Sequence, residues 1–240
     1  DVVFSGSGDD VVFGGTGRDT IFGESGDDAL FGEEDDDTIS GGTGDDTISG
    51  GQGGDRLLGD SGNDVIDGGG GADDIDGGEG RDIVIAGAGA DAVHAGGGDD
   101  VVVAVLLDGN DVYDGGGGTD TFDASTTSAD AVINLAAETA ASDDFGHDAI
   151  KDFENVVGSS GDDVITGDEE ANTIDGRAGD DYIVAGGGDH VVIGGAVNDV
   201  FLVTFNDGND VYDGGADADT FDASGTFADA VIDLAAGFAS

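Results

Sequence analysis

The chain has no cysteine, proline, methionine or tryptophan among its 240 residues. Without cysteine it has neither disulfides nor thiolate metal sites. Without proline, and with glycine recurring every nine residues rather than every three, it cannot be a collagen-like triple helix. Basic residues are scarce: 5 Lys+Arg stand against 56 Asp+Glu, a formal net charge of −51. That charge repels a phosphate backbone and excludes nucleic acid as a partner. No apolar run approaches the roughly 18 residues of a membrane-spanning helix. Aromatic residues are few, 3 Tyr and 12 Phe beside 50 Gly, and this composition alone reads as disorder.

What is present is a period, and it argues against disorder. In Gly41-Gly42-Thr43-Gly44-Asp45-Asp46-Thr47-Ile48-Ser49, the first six residues have turn chemistry and the last three form a minimal strand. The sixth position returns as Asp10, Asp19, Asp28, Asp37, Asp46, Asp55, Asp64, Asp73, Asp82, Asp91 and Asp100. The eighth is aliphatic throughout, from Val12 and Ile21 to Val93 and Val102. The fourth is glycine except at Asp35. Disorder has no need of a fixed aliphatic column.

A unit of one strand and one turn cannot bury its apolar residue alone, so it stacks on copies of itself. Two repeats make one coil of about eighteen residues, and strands pair in parallel with those two repeats away, about 4.8 Å off. Asp46 then lies between Asp28 and Asp64 in a column of like charges. At roughly 5–6 Å these repel, so the fold requires cations between them. Oxygen-only ligands select a hard divalent ion, and Ca²⁺ accepts such irregular geometry more readily than Mg²⁺.

The pattern GGxGxDxUx (U aliphatic) resembles the hemolysin-type calcium-binding repeat of RTX proteins. The resemblance covers nearly all of residues 1–123 and, less regularly, 158–222. It implies an all-β fold, a right-handed parallel β-roll or β-helix solenoid, holding multiple Ca²⁺ ions. It also implies that Asp28 with Asp46, and Asp46 with Asp64, share ions along one edge. Asp19 with Asp37, Asp37 with Asp55, and Asp55 with Asp73 would do so along the other. Carbonyls of Gly42, Gly44, Gly51 and Gly53 are the implied co-ligands. The same resemblance implies a secreted, extracellular or cell-surface protein, exported unfolded through a type I secretion channel.

In chain order, 1–123 reads as a first calcium-binding array. Val2, Val11, Phe13, Phe22 and Phe31 flank the aliphatic column and either cover one face or stand as surface apolar groups. Fifth-position acids Asp9, Asp27, Asp36 and Asp45 read as solvated. Glu24, Glu33 and Asp60 at the second position read as harmless, whereas Asp35 is expected to strain its turn. Two residues are inserted at Ala104-Val105, after which Asp111 and Asp120 resume the sixth position and Tyr113 and Phe122 the eighth. Residues 124–157 read as a connecting β segment that continues the stack with longer coils, and 223–240 as the start of another. The two are linked by an internal repeat: FDASTTSADAVINLAAE at 122–138 answers FDASGTFADAVIDLAAG at 221–237, and GNDVYDGG occurs at 109–116 and 208–215.

Residues 158–222 read as a second, degenerate array. Its sixth positions are Asp163, Asn172, Asp181, His190, Asp199, Asp210 and Asp219. Asp163, Asp181, Asp199 and Asp219 make one edge and are read as ligands. Asn172, His190 and Asp210 make the other edge, which lacks two of its anionic ligands, so its sites are expected to be empty or weak, with no calcium between the turns of Asn172 and His190. Val197 is expected to disturb the turn before Asp199.

No catalytic role is expected. His94, His147 and His190 are far apart, and no G-x-S-x-G, P-loop or H-E-x-x-H pattern occurs. Asp1 falls at a sixth position, so the chain reads as cut from a longer protein. Its parent would be a secreted RTX enzyme (protease, lipase or alginate epimerase), or an adhesin using the array as a spacer. Contact with a polysaccharide or cell surface belongs to those alternatives.

Overall fold

Each nine-residue unit folds as one strand and one turn, and alternate units lie on opposite sides of a solenoid. The computed structural model describes residues 1–204 and 208–224; residues 225–240, with most of the second connecting segment, lie outside the described residues. Among the described residues one sheet has 14 strands and the other 12, with no helix. Pairing is parallel at an offset of eighteen, as in Thr38↔Arg56, Ile39↔Leu57 and Ser40↔Leu58. Across the insertion at 104–105 the offset grows, and Ala92 pairs with Val112.

The strand period of two sorts the side chains. Eighth-position Ile21, Leu30, Ile39, Ile48, Leu57 and Ile66 are buried between the sheets, as are the sixth-position aspartates that follow each turn. Seventh and ninth positions face outward. On that outer surface Phe4 stacks on Phe22 and Phe13 on Phe31, both at 4.9 Å between ring centres. Val2 and Val11 stand exposed beside them. The phenylalanines therefore cover the outside of the first coils and add nothing to the core.

The turns require positive φ at their second and fourth residues. Gly62 has φ 146, and a Cβ there would run into the carbonyl oxygen of Gly44 one coil below. Non-glycine residues at these positions take a tighter left-handed conformation: Glu24 φ 69, Glu33 φ 82, Asp60 φ 70, Asp35 φ 77. Each costs on the order of 1–2 kcal/mol. Asp35 offsets part of this, because its carboxylate accepts the N–H of Gly17 at 3.0 Å.

The connecting segment departs from the expected longer coils. In one sheet the stack runs without a break, Thr121–Asp123 to Asn155–Val157 to Thr173–Asp175. In the other, an antiparallel meander is inserted: Gly146–Lys151 pairs with Thr139–Ser142, and that strand with Ala131–Asn134. Parallel stacking then resumes at Val164–Thr166. A tight turn makes the reversal possible, with the N–H of Ala137 donating to Asn134 Oδ1 at 2.9 Å and Glu138 at φ 56. Phe145 and Phe153 pack edge-on against Phe122, each at 6.0 Å, and fill the widened core. In the second array Ile165, Ile174, Ile183, Val192 and Phe201 keep the buried column intact.

Candidate metal centre

The sixth-position carboxylates form two ladders, one along each edge of the solenoid. In each, the backbone N–H of one aspartate donates to Oδ1 of the aspartate one coil above. Asp28 donates to Asp46 at 2.7 Å and Asp46 to Asp64 at 2.7 Å. On the other edge Asp19 donates to Asp37 at 2.8 Å, Asp37 to Asp55 at 2.7 Å and Asp55 to Asp73 at 2.8 Å. The ladders continue through Asp82, Asp91, Asp100, Asp111 and Asp120.

The second oxygen has no such partner. Oδ2 of Asp19, Asp28, Asp37, Asp46, Asp55, Asp64, Asp73, Asp82, Asp91, Asp100, Asp120, Asp181 and Asp199 is buried and accepts no hydrogen bond. A buried carboxylate oxygen left unpaired is costly. Its surroundings show what it meets. A Cβ built on Gly41 would run into Asp46 Oδ2 and lie 2.9 Å from the carbonyl oxygen of Gly59, so both oxygens converge beside that α-carbon. Two acceptors turned on one spot, repeated along both edges, fit a cation.

The electrostatics agree. Burial, opposed by the accepted N–H and reinforced by the stacked neighbours, raises the carboxyls of Asp46, Asp55 and Asp73 to about 6 and that of Asp64 to about 7. Asp181 reaches about 8. Among the described residues no group of three or more acidic or imidazole side chains is placed to hold a metal ion by side chains alone. The oxygens that converge at each joint, a carboxylate and a backbone carbonyl, would make a hard, all-oxygen donor set of the kind Ca²⁺ takes.

The expected ligands sort into groups. Asp10 and Asp219 lie in the ladders but are only partly buried. Asp111 and Asp163 have Oδ2 occupied by protein: the Tyr113 hydroxyl donates to Asp111 at 2.9 Å, and the Ser159 N–H to Asp163 at 2.7 Å. The carbonyls of Gly44, Gly51 and Gly53 point along the stack at Gly62, Gly69 and Gly71, while Gly42 is itself faced by the carbonyl of Glu24. The first-position carbonyl, as at Gly59, converges with the free carboxylate oxygen beside Gly41 and was not among the residues singled out from sequence. Asp199 stays in register despite Val197 at φ 88, accepting the Asp181 N–H at 3.0 Å.

Two further ladder members sit in the connecting segment. Asp148 accepts the N–H of Asp111 at 3.0 Å, and Glu154 that of Asp120 at 2.7 Å. Asp148 lies in the strand Gly146–Lys151 and keeps the fourth-position glycine, Gly146 at φ 98 and bridged to Gly109, whereas Glu154 precedes Asn155–Val157 with no glycine in the turn before it. The fifth-position residues are not merely solvated. Asp9 accepts the N–H of Asp27, Asp27 that of Asp45, and Asp45 that of Asn63. This second ladder runs opposite to the first, reaching up the stack where the sixth position reaches down.

No curated protein matches the chain. A family model described as the RTX calcium-binding nonapeptide repeat (4 copies) matches residues 4–39, 31–66, 49–84, 67–102, 107–122, 157–192, 167–201 and 206–225. These segments cover well over half of the sequence, and the chain belongs to the RTX calcium-binding nonapeptide-repeat family.

Proposed function

We propose that the chain is a calcium-loaded module of a secreted protein, leaving the cell unfolded through a type I export channel and folding on extracellular Ca²⁺. One observation carries this reading: both edges are lined by buried carboxylate oxygens with no protein partner. Such a fold is unfavourable without cations and stable with them. Sites of extracellular modules bind at about 10⁻⁴–10⁻³ M, so they fill outside a cell and stay empty within it. Asp19 to Asp100, Asp120, Asp181 and Asp199 are the carboxylates assigned to the ions, with carbonyls of the glycine turns completing each shell. The role is binding rather than catalysis, supported by the separation of His94 on the outer face, His147 in the meander and His190 in the core.

Circular dichroism of the full chain tests this. The spectrum is expected to be that of a disordered chain in EGTA, to become β-rich cooperatively with calcium, and to respond poorly to magnesium. A β spectrum in EGTA at neutral pH would sink the reading.

A further inference from the structure

The insertion at 104–105 does more than lengthen a coil. It pushes Leu106 and Leu107 into solvent, 59% and 79% exposed, with Leu107 at φ 66. The chain then returns inward at Asp108, the third position of its repeat. Elsewhere in the array that position faces solvent, as at Thr43, Gln52, Ser61 and Glu79. Asp108 is 0% exposed.

Its two oxygens are treated differently. Oδ2 accepts the N–H of Val105 at 3.1 Å and the Tyr113 hydroxyl at 2.9 Å. Oδ1 is buried with no partner. The same hydroxyl lies 2.9 Å from Asp111 Oδ2 and has one proton to give. Asp148, the next carboxylate of that edge, also has a buried Oδ2 without a partner. Asp108 and Asp111 thus share one hydroxyl proton, Asp148 accepts the N–H of Asp111 at 3.0 Å, and two buried oxygens of this coil joint, Asp108 Oδ1 and Asp148 Oδ2, are left without partners. The arrangement is written twice in the sequence: Asp108-Gly109-Asn110-Asp111-Val112-Tyr113 returns as Asp207-Gly208-Asn209-Asp210-Val211-Tyr212. There the Tyr212 hydroxyl donates to Asp210 Oδ2 at 3.1 Å, while Asp207 lies outside the described residues.

We propose that Asp108 is a calcium ligand outside the nonapeptide pattern, its Oδ1 and Asp148 Oδ2 holding a Ca²⁺ ion beside the Tyr113 ring. The tyrosine hydroxyl lies against the oxygen that Asp111 would have offered, shared with Asp108 Oδ2, and Asp108 Oδ1 supplies the replacement. The assignment rests on the calcium reading above.

Terbium, a hard oxygen-seeking stand-in for calcium, tests it through tyrosine-sensitised emission, since the chain has no tryptophan. In the full chain carrying Tyr182→Phe and Tyr212→Phe, Tyr113 is the remaining sensitiser. Emission is expected on adding Tb³⁺ and is expected to be lost with Asp108→Asn, while the metal-induced β signal persists. Unchanged emission in Asp108→Asn, or no emission from a chain that folds with Tb³⁺, overturns the proposal and leaves the calcium reading standing. A chain that folds with neither ion overturns both. If Asp108→Asn does not fold, anomalous diffraction from crystals of the unaltered chain grown with Tb³⁺ decides. A peak at about 2.3–2.6 Å from Asp108 Oδ1 supports the site; its absence refutes it.

Discussion

Two adjacent aspartates show how finely the repeat divides its labour. Asp45 is exposed and accepts the N–H of Asn63 at 2.8 Å; Asp46 is buried and accepts that of Asp28 at 2.7 Å. Removing Asp45 loses two exposed hydrogen bonds, from the N–H and the side-chain amide of Asn63, each worth about 0.5–1.5 kcal/mol at most. Removing Asp46 strands a buried N–H and takes away an oxygen that the calcium reading assigns to an ion. Asp46→Ala is therefore expected to raise the calcium midpoint of folding by about tenfold or more, and Asp45→Ala by only a few-fold. Equal shifts in a calcium titration would show that net charge, not position, governs folding. The sixth position was legible from sequence because nothing interrupts it between Asp10 and Asp100. The fifth was not, because a carboxylate in a glycine turn looks solvated until the coil above is in place.

At the scale of the coil, the second array shows fold and metal site coming apart. The aliphatic column persists while the edge of Asn172 and His190 closes on itself. Asn172 Oδ1 accepts the Asp168 N–H at 3.0 Å, and His190 Nδ1 accepts the Asn172 N–H at 3.1 Å. That bond puts the imidazole proton on Nε2, which lies buried where other coils turn a carboxylate oxygen inward. An N–H there repels a cation. His190→Asp is expected to add one Ca²⁺ to the count by native mass spectrometry; an unchanged count would mean that the carbonyls, not the side chain, set occupancy. The regular coils and this defect were readable because the nine-residue spacing survives through both. The meander was not, because Asp148 and Glu154 are six residues apart and the strands between Ala131 and Ser142 carry no glycine turn. The marks of ladder membership are short: Gly146-His147-Asp148-Ala149-Ile150 keeps the fourth, sixth and eighth positions of the repeat, and Glu154-Asn155-Val156 keeps only its ending.

Over the whole molecule the raised carboxyls act together. Each binds its proton more tightly folded than unfolded, where 3.8 is the ordinary value. Without metal, the fold is therefore most stable below about pH 4 and loses that stability as pH rises through the range of about 6 to 8 set by Asp46, Asp64 and Asp181. In EGTA, the β signal is expected to grow as the solution is taken from about pH 8 to about pH 5. A signal that stays flat or shrinks on acidification would contradict the burial of these groups. The eighteen-residue offset between paired strands has a mechanical meaning too. One coil stores about 60 Å of extended chain in about 4.8 Å of stack height. Pulled along its axis, the solenoid lengthens by unwinding coils one after another, each releasing more than tenfold its own height. The protein is thus a wound reserve of length, and on the proposed calcium reading the ions between its coils set the tension at which each step is let out.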